Sequence, residues 1–224
     1  DALPISYRTN LLGTAHVLES ARLNAFRKVI VMSSVNALGI FKGEGAPDYF
    51  PIDDDHPCRP VSAYGISKKL GEELCGSFTR ACGIPSVCLR PPSVWSRKAY
   101  IETIQRKMRG QPEWVPWWEY GAFIDRRDLV DLVFRCLEVD FTGHHTLLVA
   151  SDDIATSGRT GLELADRLHP AVEFRNRTRY ESEPYAALVD CQRAKRLFGW
   201  TPRHTWSEFV RDYSSDPAGV HAVL

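Results

Sequence analysis

The order of apolar and polar residues predicts a helix, a strand, a second helix and a second strand within the first ninety residues. Apolar side chains recur at helical spacing over 9–26, and the run KVIVMSS, 28–34, is short, β-branched and almost wholly apolar. Such a run is typical of a strand buried on both faces of a parallel sheet. A helix over about 62–82 and the strand SVCLR, 86–90, follow. This alternation predicts an α/β fold with a Rossmann-like, doubly wound parallel sheet.

The second half of the chain has a less regular pattern, which predicts a smaller mixed α/β lobe. Its predicted elements are helices near 99–109, 126–138, 161–168 and 192–200 and a strand over 145–151. We therefore expect a sheet domain over 1–91 and mainly a smaller lobe over 92–224. Within that lobe, about 121–150 is expected to return to the sheet domain.

Charge and composition exclude several classes of partner. Among 224 residues, Lys plus Arg and Asp plus Glu both number 28, so no net field attracts nucleic acid or an anionic membrane. No apolar run approaches the roughly 18 residues of a membrane helix. The six cysteines lie singly, without the spacing of metal ligands, and are expected to be free thiols. We expect a cytoplasmic protein without a metal site.

Candidate chemistry lies on the predicted 62–82 helix. Tyr64 and Lys68 are four residues apart there and therefore share one face. An ammonium beside a phenol lowers the phenol pKa from about 10 toward neutrality, so the tyrosine can exchange a proton with an alcohol near pH 7. Ser33 and Ser34 end the predicted strand, where open α/β sheets bind ligands, and a hydroxyl there can hold the reacting oxygen. Alone, this spacing is equally typical of a packed ring and a solvated charge.

Other motifs occur with this pair in one order along the chain. They are TNxxGT at 9–14, a strand ending in Ser-Ser with Gly39 five residues later, PVSAYGISK at 60–68, LRPxxV at 89–94 and DxxxAKRLFGWxP at 190–202. This ordered set resembles the extended short-chain dehydrogenase/reductase superfamily, the NAD-dependent epimerases and dehydratases that act on sugars and related alcohols. The likeness covers nearly the whole chain, and as a combination the motifs are specific.

The resemblance implies roles for the matching positions. Tyr64 matches the catalytic acid/base, Lys68 the residue that lowers its pKa and holds the nicotinamide ribose, and Ser34 the hydroxyl that orients the substrate oxygen. It implies NAD as cofactor, with NADP also possible in principle, and a homodimer in which the 9–26 and 62–82 helices pair with their copies. The implied cofactor contacts are Thr9, Asn10, Ser33, Tyr64, Lys68 and Pro92, and the implied substrate contacts are Ser34, Asn36 and Ser93. Thr9, Asn10 and Pro92 are equally interpretable as structural residues.

One segment of the family pattern is missing from this sequence. Members normally begin with a strand and a glycine-rich turn, which lets the backbone approach a pyrophosphate. The glycines of 39–45 and 158–161 have neither that spacing nor that position. We therefore expect residues 1–224 to be roughly the C-terminal three-quarters of a longer chain, and expect this part to bind dinucleotide poorly by itself.

Two further departures narrow the expected substrate. Sugar dehydratases of this family carry an Asp-Glu pair after the serine, whereas Val35 and Asn36 stand there in this chain. Nucleotide-sugar epimerases usually offer an arginine to the diphosphate where this chain has Gly121, and Arg126 or Arg127 is as easily interpreted as solvated. We expect a smaller substrate, such as a sugar, a sugar acid or another secondary alcohol, and no dehydration.

Several remaining residues receive ordinary structural interpretations. Trp114, Trp117 and Trp118 are expected in the small lobe's core, although they could stack on a sugar ring. The acidic run 53–55 is expected to be solvated, and His144 and His145 to lie on the surface. A competing hypothesis is a non-catalytic relative that senses a dinucleotide or binds a partner.

Overall fold

A computed structural model describes residues 5–108, 119–156 and 158–215 of the chain. Its strands are β1 (Val29–Met32), β2 (Tyr49–Phe50), β3 (Ser86–Arg90), β4 (Ser93–Trp95), β5 (Phe123–Asp125), β6 (His144–Leu148) and β7 (Glu173–Phe174). Its α-helices are α1 (Gly13–Leu23), α2 (Ala63–Cys82), α3 (Arg97–Met108), α4 (Arg126–Glu138), α5 (Gly161–Leu168), α6 (Arg177–Ser182), α7 (Gln192–Phe198) and α8 (Trp206–Ser215). A π-helical segment, Tyr7–Leu12, precedes α1, and a 3₁₀ helix, Val35–Leu38, follows β1.

The described strands pair in parallel throughout. The largest sheet has the order β1-β3-β6, with Val31 opposite Cys88 and Cys88 opposite Thr146. Two small sheets pair β2 with β7 and β4 with β5. This arrangement confirms the predicted α/β fold with a Rossmann-like parallel sheet. The division into parts at residue 91 stays a prediction.

Helices cover both faces of the β1-β3-β6 sheet. On one face Cys88 packs in a buried cluster with side chains of α1 and α2, including Ala21 and Cys75. On the other face Val87 and Leu89 join a larger buried cluster that includes Leu132 of α4. Because successive strand residues point to opposite faces, this alternation explains why the strand sequence is apolar without interruption.

A second, mostly aromatic core lies around β4 and β5. Trp95 packs between Tyr100, Phe123 and Trp206, with ring centroids 5.1, 4.7 and 6.0 Å away. These rings come from β4, α3, β5 and α8, so they join segments that are distant in the sequence. The predicted tryptophan cluster 114–118 lies outside the described residues.

Several predicted elements are confirmed almost residue for residue. The helix predicted over 62–82 is α2, whose N-cap is Ser62 and whose C-cap Gly83 has the left-handed φ of 72°. The strand 86–90 and the helices 126–138 and 161–168 also have the predicted bounds. The predicted helix 9–26 is instead π-helical up to Leu12 and ends at Leu23. Among the strands and α-helices of the described residues, six had no predicted counterpart, namely β2, β4, β5, β7, α6 and α8.

Candidate active site

The central feature of the candidate site is the first half of α2. Ser62 accepts a hydrogen bond from the Gly65 backbone N–H at 3.1 Å and so fixes where the helix begins. One turn along, the Lys68 ammonium lies 5.6 Å from the centroid of the Tyr64 ring. Tyr64 is 41% exposed, whereas Lys68 is half-buried. The two side chains therefore share one face of the helix, with the phenol open to solvent.

The Lys68 ammonium is anchored at the carboxyl end of β1. It donates a hydrogen bond of 2.8 Å to the Met32 carbonyl oxygen. Burial lowers the pKa of Lys68, while the charges of Cys88 and Glu72 oppose that decrease. The ammonium is thus held at the sheet edge where parallel α/β sheets bind ligands.

Ser34 lies beside the first turn of α2, at the point where the chain leaves β1. Its hydroxyl accepts a hydrogen bond from the Asn36 N–H at 3.2 Å and caps the 3₁₀ helix. A Cβ built on Gly65 would lie 2.5 Å from the Asn36 carbonyl oxygen, so only glycine permits this close approach. Because residue 65 has no side chain, the segment that contains Ser34 and Asn36 can pack directly against the start of α2.

A groove of about 360 Å³ runs along this edge of the sheet. Four of the predicted cofactor contacts line it, namely Thr9, Asn10, Ser33 and Lys68. Asn10 Nδ2 donates to Ser67 Oγ at 2.9 Å, which ties the π-helical segment to α2. The Ser33 hydroxyl donates at 2.5 Å to the buried carboxylate of Glu72 and therefore points inward from the groove.

Of the predicted contacts Pro92 and Ser93, the first lies on the chain that connects β3 with β4 and the second begins β4. Pro92 is buried, and the Ser93 N–H donates to the Glu119 carboxylate at 2.8 Å. The Val35 N–H donates to the Pro91 carbonyl at 3.2 Å, so this connection lies beside the 3₁₀ helix. Neither residue lines the groove, and neither do Tyr64 and Asn36. The roles of all predicted site residues stay predictions.

Sequence reasoning missed a buried ion pair beneath the site. Glu72 and Arg90 are each at most 3% exposed and form a two-pronged pair, with Nε–Oε1 and Nη2–Oε2 distances of 2.8 and 2.7 Å. Burial opposes the charged form of Arg90, but the hydrogen bonds and charge of Glu72 raise its pKa above the ordinary value. Two signals could have revealed the pair: a glutamate one turn after Lys68, and an arginine within an otherwise apolar strand.

Arg126 and Arg127, the arginines considered for diphosphate binding in the sequence analysis, have different surroundings. Arg127 forms a two-pronged pair with buried Asp125, with Nε–Oδ1 at 2.9 Å and Nη2–Oδ2 at 2.8 Å. Arg126 is exposed. Gly121 has a left-handed φ of 71°, and a Cβ there would lie 2.8 Å from the Ile154 Cβ. Position 121 thus has no room for a side chain.

Within residues 5–108, 119–156 and 158–215, no group of three or more His, Cys, Asp or Glu side chains is placed to hold a metal ion. Within the same ranges, no helix combines the length and the apolar character that a membrane crossing requires.

Comparison with solved structures defines the class of the fold. A short-chain dehydrogenase/reductase superfamily protein from Agrobacterium tumefaciens, solved with bound NAD, superposes with a TM-score of 0.65 at 17% identity, covering 96% of this chain and 74% of that one. UDP-glucose 4-epimerase from Thermotoga maritima, solved with UDP-glucose, gives 0.60 at 18% identity, with coverages of 95% and 74%. The fold is therefore that of the short-chain dehydrogenases and reductases.

Sequence comparison identifies the family. The model of the NAD dependent epimerase/dehydratase family matches residues 4–146, more than half of the chain, and the chain belongs to this family. It is 27% identical to a putative UDP-glucose 4-epimerase of Methanocaldococcus jannaschii, over 90% of this chain and 67% of that protein. It is 29% identical to the uronate dehydrogenase of Pseudomonas syringae pv. tomato, over 64% of this chain and 45% of that one. The predicted family is confirmed, and these relatives are named as epimerases and dehydrogenases.

Proposed function

We propose that this protein is an NAD(P)-dependent oxidoreductase or epimerase in which Tyr64 exchanges a proton with a secondary alcohol. The supporting observation is the position of Lys68: its ammonium lies 5.6 Å from the Tyr64 ring centroid and is tied to the end of β1. An ammonium at that position places a fixed positive charge beside the group that moves the proton. The open phenol can then take a proton from a substrate hydroxyl or return it.

Ser34 supports the same reaction from the neighbouring segment. Its oxygen accepts the Asn36 N–H, which leaves the serine proton available to a substrate oxygen. A donor held in place in this way stabilises the negative charge that develops on that oxygen. Ser34, Tyr64 and Lys68 are thus proposed as the catalytic residues, with Asn36 and Ser93 at the substrate.

The groove fits the nicotinamide and ribose end of a dinucleotide. Its volume of about 360 Å³ lies at the low end for ligand pockets. Thr9 and Asn10 offer polar side chains at one side, and the Lys68 ammonium can donate to ribose hydroxyls at the other. A bound NAD or NADP would supply or accept the hydride. The chain's own groups position the reactants and move the proton.

The substrate is proposed to be a sugar, a sugar acid or a similar small alcohol. The lack of room at Gly121 removes one arginine that a diphosphate could use, and Asp125 already engages Arg127. The named relatives include both UDP-glucose 4-epimerases and uronate dehydrogenases, so hydride transfer at a sugar carbon is common to the two possibilities. Val35 and Asn36, both buried, offer no carboxylate for dehydration.

A homodimer is proposed through the helices that precede and contain the site. Large apolar side chains of these segments are exposed, among them Leu12, Leu23 and Leu70. Burying such side chains against a second copy would remove apolar surface from water. A cytoplasmic location stays a prediction.

A substrate screen tests the proposed function. Free sugars, sugar acids and UDP-sugars would each be incubated with the protein and NAD or NADP while the absorbance of the reduced nicotinamide is followed. A net change indicates a dehydrogenase, and product without a net change indicates an epimerase. If no compound reacts although the dinucleotide binds, the proposed function is wrong and the alternative of a non-catalytic relative is favoured.

A further inference from the structure

At the wall of the groove, a single buried carboxylate joins three secondary-structure elements. Glu72, on α2, accepts the Ser33 hydroxyl at 2.5 Å and two hydrogen bonds from Arg90. Ser33 directly follows β1 and Arg90 ends β3. One side chain therefore ties the helix to the carboxyl ends of both strands.

Glu72 lies on the same face of α2 as the proposed catalytic pair, Tyr64 and Lys68. It lies one turn after Lys68 and two turns after Tyr64, so the three side chains follow one face of α2. Ser33, which Glu72 holds, is the neighbour of Met32, whose carbonyl receives the Lys68 ammonium. The same two elements are thus joined twice within one helical turn, once by Glu72 and once by Lys68.

Burial and the hydrogen bonds of Glu72 hold α2 firmly against β1 and β3. A buried carboxylate requires several partners to offset its loss of hydration, and the planar guanidinium of Arg90 fixes both of its oxygens. The other titratable groups near this pair include Lys68 and Cys75 on α2, Cys88 on β3, His144 on β6, and Asp54 and Cys58 on the long connection before α2. Arg90 Nη2 also donates to the Cys58 sulfur at 3.2 Å, which ties that connection to the cluster.

We propose that Glu72, held by Arg90, is a positioning residue that sets the distance between the Lys68 ammonium and the Tyr64 hydroxyl. This inference rests on the proposed function of Tyr64 as the proton carrier. Glu72 lines the groove, but Arg90 binds both of its carboxylate oxygens and the Ser33 hydroxyl donates to one of them. Glu72 acts by fixing α2 against β1 and β3, so that the ammonium stays at the Met32 carbonyl and beside the phenol.

Two variants keep the charges of Glu72 and Arg90 but change the geometry of the pair. They therefore test the position of these side chains and not the presence of their charges. Glu72→Asp shortens the carboxylate by one methylene, and Arg90→Lys replaces the two-pronged donor by a single ammonium. Glu73→Asp, at the next position of α2, is the matched control because Glu73 is exposed and pairs only with Lys69 among the ion pairs of the described residues. Thermal unfolding first establishes the temperature at which every variant is folded.

The measurements are kcat, KM and the pH dependence of turnover. In Glu72→Asp and Arg90→Lys we expect kcat to fall about tenfold with less than about a twofold change in KM. The pH profile of turnover should change in both variants, since the ammonium is no longer held in place beside the phenol. Glu73→Asp should change none of these quantities.

The outcomes distinguish this inference from the proposed function. A lower unfolding temperature in both variants, with unchanged kcat and an unchanged pH profile, would show that Glu72 only stabilises the fold and would overturn the inference. If the wild-type protein binds the dinucleotide but turns over no substrate, the proposed function itself fails, which is a different result from active variants that behave like the wild type. If one variant does not fold, the other gives the same test.

Discussion

The Lys68 ammonium lies 5.6 Å from the centroid of the Tyr64 ring, and its hydrogen bond to Met32 holds it there. Spacing along α2 alone would place the two side chains on one face without fixing either one. The hydrogen bond to β1 adds the missing constraint, because a flexible lysine with a fixed end has few conformations left. A cation in a defined position is what a tyrosine needs to work as an acid and base near neutral pH.

Replacing Tyr64 by phenylalanine is expected to remove turnover and leave the fold intact. The variant lacks the hydroxyl that carries the proton, so kcat should fall by a factor of about 10² to 10⁴. The side chain is 41% exposed, so the free energy of unfolding should change by less than about 0.5 kcal/mol. Tyr185→Phe, at a tyrosine that is 43% exposed and lies outside the groove, is the control. Equal turnover in Tyr64→Phe and the wild-type protein would remove Tyr64 from the mechanism.

Replacing Lys68 by methionine keeps most of the unbranched side chain and removes its charge. We expect weaker dinucleotide binding, since the ammonium faces the groove, and an acid limb of the pH profile at higher pH. Lys69→Met is the matched control because Lys69, the next residue, pairs with exposed Glu73 on the surface. Calorimetry and the pH dependence of turnover measure the two effects. Identical binding by both variants would contradict a role for Lys68 at the cofactor.

Gly65 is expected to tolerate no side chain. In Gly65→Ala the new methyl group would lie 2.5 Å from the Asn36 carbonyl oxygen, which forces the start of α2 away from the segment that holds Ser34. We expect a loss of about 1–3 kcal/mol in the free energy of unfolding and a parallel loss of turnover. In Gly71→Ala, on the same helix, the nearest atom is Thr14 Oγ1 at 3.8 Å, so this control should be neutral or slightly stabilising. Denaturant unfolding of the two variants makes the comparison, and equal stabilities would refute the close approach.

Exposed leucines on the two site helices give a test of the proposed homodimer. Light scattering at micromolar concentration should give twice the monomer mass for the wild-type protein. Exchanging Leu23 and Leu70 for lysine places charges on the proposed contact and should give the monomer mass, with little change in stability since both side chains are exposed. A wild-type monomer at that concentration would contradict the proposed dimer.

The sequence predicted those parts of the fold that are specified by neighbouring residues. Both ends of α2 follow from local signals, the Ser62 cap and the left-handed Gly83, and their prediction was accurate. The predicted strand 28–34 was too long, because Ser33 and Ser34 leave the sheet and Ser34 caps the 3₁₀ helix. The short strands β2 and β7 pair residues that are more than a hundred positions apart, and no local pattern specifies such a pair.

In the candidate site, too, the sequence predicted contacts within one helix and missed contacts between elements. Tyr64 and Lys68 share a helix face because their spacing requires it. The ion pair of Glu72 with Arg90 joins a helix to a strand across 18 positions, and each residue is conspicuous in its own element, but no local pattern pairs the two. The interpretation of His144 as a surface residue was inaccurate as well, because its ring is half-buried and its Nδ1 lies 2.8 Å from Ser86 Oγ. Contacts made in tertiary structure decided these positions.

The burial of Asp54 was likewise not predicted from the sequence, and it makes the stability of the fold depend on pH. The expectation that the acidic run 53–55 is solvated was wrong for this residue: its side chain is 3% exposed and accepts the Leu148 N–H at 2.5 Å. Burial raises the pKa of the Asp54 carboxyl to about 6, although the hydrogen bond from Leu148 and the charge of Arg193 oppose the increase. The carboxyl therefore binds its proton more tightly in the folded than in the unfolded chain, whose ordinary pKa is 3.8.

The sign of the resulting pH dependence follows from this difference. Between about pH 4 and pH 6 the folded protein keeps a proton that the unfolded chain has released, so the stabilisation from this group is complete below about pH 4 and is lost as the pH rises through 6. The loss is on the order of 3 kcal/mol. Asp54→Asn cannot ionise and should abolish this part of the pH dependence, whereas Asp55→Asn, at an exposed carboxylate paired with Arg193, should retain it. Urea unfolding at several pH values between 4 and 7 measures both variants, and a wild-type slope in Asp54→Asn would show that another group titrates in this range.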